Sequence, residues 1–193
     1  MNRHKFKPIS VSVLFDKNMQ FCNKCKSRMF CENPYRINLG YGNVNSNTIV
    51  IFDTFVNEKN YNFNKLLRAF EDKYKEILNR NALEDLYITK LVKCNNITSY
   101  DFYNPSIVYC KNYLLFLELN KYNFKNIVFV GETFNDLFDK LSEKNSKILL
   151  SKYNIRCIPP FTYITTSKKS FNDRFDEDFK TVFLNIDNRC FNP

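Results

Sequence analysis

Thr48-Ile49-Val50-Ile51-Phe52-Asp53 is a compact apolar run that ends in a carboxylate. A stretch of this length without polar alternation suits a strand buried on both faces, as in a parallel sheet. Downstream the period changes. Phe63, Leu66, Leu67, Phe70, Tyr74, Ile77 and Leu78 recur at helical spacing with charges between them, which predicts an amphipathic helix starting at Asn62. Leu86 to Val92 predicts a second strand, and Ser106 to Leu119 an apolar helix. Ile127-Val128-Phe129-Val130 predicts a third strand closed by Gly131, with Glu132 to Leu141 following as a helix. Ile155 to Tyr163, interrupted by Pro159-Pro160, reads as a late strand and loop. Phe175, Phe179, Val182, Phe183 and Ile186 mark a C-terminal helix. Strands alternating with helices predict an α/β fold. The expected form is a doubly wound, mostly parallel four-stranded sheet with helices on both faces and right-handed crossovers. Ligands of such sheets bind beyond the carboxyl ends of the strands, here Asp53, Thr89 to Lys93, and the segment after Tyr163.

Upstream of the first strand the signals are weaker. Residues 1–21 are basic, and Ile9, Val11 and Val13 alternate with polar positions, a pattern that fits a strand or a short helix. Cys22 to Gly42 has no clean period and reads as a long ordered loop, which needs a staple. With 193 residues, of which 44% are hydrophobic, the chain is long enough for one domain with a filled core. The expected organisation is a single domain over 1–193, with 1–47 as the cysteine-bearing N-terminal segment.

The net charge of +9 favours acidic partners, nucleic acid first. Heavy use of Asn, Lys, Ile, Tyr and Phe beside only two alanines, Ala69 and Ala82, is what an AT-rich genome produces, such as that of a virus or phage. Codon bias therefore accounts for part of the lysine excess. No apolar run reaches the roughly 20 residues of a membrane helix, and the N-terminus lacks the layout of a signal peptide. The expected location is the cytoplasm, with no membrane partner.

Seven cysteines in a reducing compartment argue for metal or cluster ligands before disulfides. Cys22-x-x-Cys25 lets two thiolates reach one metal from a tight turn. Cys94 follows the second strand and Cys110 lies in the next helix. Four thiolates in that order hold either zinc or a 4Fe-4S cluster, and spacing alone does not separate the two. Cys31 is an alternative to one of the four. Cys157 and Cys190 read as small buried hydrophobes.

Several of these features occur together in order. They are Cys22-Asn-Lys-Cys25, Gly40-Tyr-Gly42-Asn43, the strand at 48–53, Leu86-Tyr-Ile-Thr-Lys-Leu-Val-Lys-Cys94, Cys110 heading an apolar helix, and Lys125-Asn-Ile-Val-Phe-Val-Gly131. This order resembles the uracil-DNA glycosylase superfamily over about residues 20–140, and most closely its iron–sulfur-containing branch. The resemblance implies a 4Fe-4S cluster rather than zinc on Cys22, Cys25, Cys94 and Cys110. It also implies a pocket that flips a base out of DNA, stacks it, reads its edge and stabilises the departing anion.

The implied pocket is altered. Where the superfamily usually has Gly-Glu-x-Pro-Gly after the first strand, this chain has Phe52-Asp53-Thr54-Phe55-Val56. Asp53 is the candidate for the carboxylate that orients water. Phe63 matches the stacking aromatic, and equally fits the first apolar position of its helix. The Asn that often reads the uracil edge is replaced by Lys90, which donates only and cannot accept the imide N–H. Ile164 and Thr165 fall where a His-Pro pair would stabilise the anion, often the largest electrostatic contribution to such a step. Tyr163, Lys168 and Lys169 suit stacking and backbone contact in the loop facing DNA. The expected function is DNA binding without uracil excision, as an accessory factor in replication, repair or transcription alongside a polymerase or similar complex. One alternative is an active DNA glycosylase using Asp53. The other is a protein–protein subunit or inhibitor.

Overall fold

A computed structural model describes residues 40–52, 63–91, 110–131, 138, 141–159 and 169–188. These residues build an α/β fold around a five-stranded mixed sheet. The strands are β1 (Gly40–Gly42), β2 (Thr48–Phe52), β3 (Tyr87–Lys90), β4 (Asn126–Val130) and β5 (Asn154–Ile158). Their order across the sheet is β1-β3-β2-β4-β5. β3, β2, β4 and β5 pair in parallel, and β1 lies antiparallel on β3 with Tyr41 opposite Ile88.

The sheet has one strand more than the four expected. The addition is β1, inside the stretch read as a loop. Its two glycines explain how three residues can close this edge. A side chain on Gly40 would run into the Tyr87 ring, and one on Gly42 into the carbonyl of Leu86. Gly42 also has φ 89°, which favours glycine. The other four strands fall within about two residues of the apolar runs that predicted them.

The helices are α1 (Phe63–Leu78), the short α2 (Ala82–Asp85), α3 (Leu115–Lys121), α4 (Glu143–Lys152) and α5 (Lys169–Asn188). A π-helical turn, Cys110–Leu114, leads into α3. α1 matches its expected span. α5 starts six residues before the first apolar position that marked it, Phe175. Of the helix expected over 132–141, almost all lies outside the described residues. α4 was not expected. Ser142 caps it, its hydroxyl accepting from the amide of Asn145 at 3.3 Å, and only Leu149 is buried.

Alternate residues of the central strands feed two apolar clusters. Val50, Phe52, Ile88, Val128, Val130 and Ile158 pack with Leu66, Phe70 and Tyr74 of α1 and with Phe175, Phe179 and Phe183 of α5. Ile49, Ile51, Tyr87, Ile127 and Phe129 pack with Leu115 and Leu119 of α3 and with Leu149 and Tyr153. Strands that must fill both clusters have no polar face, so β2 and β4 read as continuous apolar runs. Cys157, expected as a small hydrophobe, is half-buried in β5 against the second cluster. Lys73 of α1 bridges to Asp176 of α5 at 2.9 Å and to Glu76 at 3.2 Å, tying the two helices outside the aromatic layer.

Candidate nucleic-acid interface

The chain crosses from β3, on one side of β2, to β4, on its other side. In parallel sheets this reversal of strand order leaves a crevice at the carboxyl ends, between β2 and β4 here. Phe52, Lys90 and Val130 end their strands at this level, and the amide of Leu91 donates to the carbonyl of Phe52 at 2.9 Å.

Lys90 and Phe63, singled out separately in the sequence, come together here. Lys90 is only 3% exposed, and its Nζ lies over the Phe63 ring, 5.4 Å from the centroid. Phe63 opens α1 and is half-buried. Phe52 meets it edge-on at 5.9 Å and Tyr41 tilts against it at 5.7 Å. The ring is thus both the first apolar position of the helix and a neighbour of the strand end. A cation over an aromatic face gains about 0.5–2 kcal/mol, the upper end when water is excluded. That attraction offsets part of the cost of burying the ammonium.

Asp53, Cys22, Cys25, Cys31, Cys94, Tyr163, Lys168 and Cys190 are outside the described residues. Cys110 opens the π-helical turn and Lys169 opens α5, each described by its backbone alone. Among the described residues, no group of three His, Cys, Asp or Glu side chains is placed to hold a metal ion. Among the same residues, no helix is long and apolar enough to cross a membrane.

On the opposite side of β3 stands a group that the sequence reading missed. Glu118 of α3 is fully buried. Its Oε1 accepts from the Tyr87 hydroxyl at 2.7 Å and from Thr89 Oγ1 at 3.1 Å. A buried carboxylate is tolerable only when donors replace its water. The visible signal was one charge inside Leu114-Leu-Phe-Leu-Glu118-Leu119, an otherwise apolar helix. Burial, then the Glu118 charge and hydrogen bond, push the Tyr87 hydroxyl far above the ordinary tyrosine range. Burial and Glu118 also raise Tyr122. Burial alone would lower Lys73, but its bonds to Asp176 and Glu76 outweigh that and raise it.

A pH dependence follows. In the unfolded chain Tyr titrates near 10 and Lys near 10.4. The folded protein still holds the Tyr87, Tyr122 and Lys73 protons there, so unfolding releases protons and becomes easier as pH rises. The urea midpoint is expected to be flat between about pH 8 and 9 and to fall from about pH 10 upward. The Tyr87→Phe variant should show a shallower alkaline fall.

No protein-family model matches this sequence, and the curated proteins contain no match to it.

Proposed function

We propose that this chain is a DNA-binding protein on a doubly wound, uracil-DNA glycosylase-like sheet, acting as an accessory factor in replication, repair or transcription without excising uracil. A 4Fe-4S cluster on Cys22, Cys25, Cys94 and Cys110 staples the segment before β2 to the residues after β3. The observation that carries this reading is Lys90 at the end of β3, with its ammonium over Phe63. Lys90 stands where the resembled family reads the uracil edge, and a group that only donates cannot accept the imide N–H. A base stacking on Phe63 would meet a ring that already has Lys90 over it and Phe52 and Tyr41 against it. The reversal of strand order between β2 and β4 supports a ligand site at the carboxyl end of the sheet. The net charge of +9, with Tyr163, Lys168 and Lys169, supports DNA as the partner.

Three measurements test the parts separately. Fluorescence titration should show DNA binding that weakens steeply with salt, because lysines displace counterions from phosphates. No affinity at low salt rejects DNA binding. Uracil-containing oligonucleotides treated with the protein and then alkali should stay intact while a control glycosylase cleaves them. Scission would favour the active alternative, with Asp53 positioning water. Anaerobic purification should yield a coloured protein containing iron and sulfide; a colourless zinc protein, or one without metal, rejects the cluster.

A further inference from the structure

The amino end of the sheet, opposite the crevice, gathers lysines from three separate segments. Lys121 closes α3, Lys125 precedes β4, and Lys152 closes α4. All three are exposed. Hydrogen bonds bring their segments together. The Tyr153 hydroxyl, just after α4, donates to the carbonyl of Leu119 in α3 at 3.3 Å. The amide of Asn154 donates to the carbonyl of Lys125 at 2.9 Å, and the amide of Lys125 to the carbonyl of Asn47 at 2.8 Å. Lys121 Nζ and Lys152 Nζ each lie 5.3 Å from the centroid of a tyrosine ring, Tyr122 and Tyr153. Their stems are thereby held along apolar surface while the charged heads face water.

No carboxylate among the described residues pairs with these three lysines. The acids of the adjoining elements have other partners. Glu118 is buried beneath α3 with Tyr87 and Thr89, and Glu143 pairs with Lys147 at 2.6 Å. Asp85 pairs with Arg80 at 2.7 Å on the α2 corner, across β2 from the lysines. A cation in the last turn of a helix complements its dipole, which accounts for Lys121 and Lys152 one at a time. It does not account for Lys125, which belongs to no helix, or for the convergence of all three.

We infer that Lys121, Lys125 and Lys152 form a second contact face for the phosphodiester backbone of DNA, at the end of the sheet opposite Lys90 and Phe63. The inference rests on the reading that this chain binds DNA. It adds where a second stretch of backbone lies. Lysine contacts to phosphate oxygens carry no sequence information, so binding through these three is expected to be indifferent to sequence.

Anisotropy titrations of a labelled DNA duplex across a salt series test it. Each lysine–phosphate contact contributes about 0.9 to the slope of log affinity against log salt. The triple variant Lys121→Gln, Lys125→Gln, Lys152→Gln should therefore lose about 2.7 from that slope, with the loss equal for unrelated duplex sequences. The matching triple Lys→Arg variant should retain the wild-type slope. Circular dichroism melting confirms that both variants fold. A wild-type slope in the Gln variant overturns the inference. The Lys168→Gln, Lys169→Gln variant separates it from the function proposed above. If only that variant weakens binding, the amino-end face is wrong and the proposed Lys168–Lys169 contact stands. If only the amino-end triple does, the reverse holds. A wild-type protein that binds no duplex at low salt overturns both.

Discussion

Phe70→Ala is expected to destabilise the protein by about 3–5 kcal/mol, the range for removing a fully buried phenylalanine from a core that cannot collapse around the gap. Phe70 is 0% exposed and sits where three elements meet. Its ring meets Phe52 of β2 edge-on at 5.3 Å, and Phe179 and Phe183 of α5 at 5.5 and 5.8 Å. Tyr74, one turn along α1, stacks at 6.0 Å. Such aromatic pairs are worth about 0.5–1.5 kcal/mol each beyond the area they bury. The neighbours are rigid rings on a strand and a helix, so relaxation into the cavity is limited. Denaturant unfolding should show the loss directly, with Phe70→Leu costing much less. The same substitution bears on function. Phe52 touches both Phe70 and Phe63, so a shifted Phe52 releases the ring beneath Lys90. A loss below about 1 kcal/mol would mean that α1 and α5 do not clamp the sheet as described.

Phe70 was legible in the sequence because it lies in a seven-position helical pattern, and β2 and β4 because unbroken apolar runs have few other uses. β1 was not legible. Gly40-Tyr41-Gly42 has no alternation, and its strand character comes from its partner, since only glycine fits against Tyr87 and Leu86. α4 escaped because it buries one residue, Leu149, and so shows almost no apolar stripe. Its start is fixed by tertiary bonds: Asn112 Oδ1 accepts from the Ser142 amide at 2.8 Å and from Asn145 Nδ2 at 3.0 Å, across about thirty residues of chain. The candidate site divides the same way. Lys90 and Phe63 were each visible as a residue type at a strand end and a helix start. That the ammonium lies over the ring is a contact between segments, and no local pattern encodes it.

Glu118→Ala is expected to cost about 3–5 kcal/mol, comparable to Phe70→Ala although no aromatic is lost. Two effects add. The core forfeits the packing of the side-chain stem, and the buried Tyr87 hydroxyl loses its acceptor, at about 1–3 kcal/mol for a buried group left unsatisfied. Tyr87 cannot turn away to find another partner. Its ring is fully buried, tilted against Tyr122 and Phe124 at 5.2 Å each, and backed by Gly40 on the edge strand. Glu118→Gln keeps the shape and one acceptor oxygen, so it should recover most of the loss. Tyr87→Phe alone leaves the carboxylate with one donor fewer and should cost about 1–3 kcal/mol. The double variant Tyr87→Phe, Glu118→Gln separates the pair from its surroundings. Residues in direct hydrogen bond couple by about 0.5–3 kcal/mol, whereas independent sites add within about 0.5 kcal/mol. Additivity would show that the 2.7 Å bond contributes nothing beyond packing. Coupling in the upper part of that range would identify this bond as what fixes α3 to β3. Thr89 and Lys90 are adjacent on β3 and face opposite sides of the sheet, so a strand held through Thr89 and Glu118 also sets the height of Lys90 above Phe63. If the proposed DNA binding depends on this strand end, loss of Glu118 should weaken it as well as stability, and Glu118→Gln should restore both together.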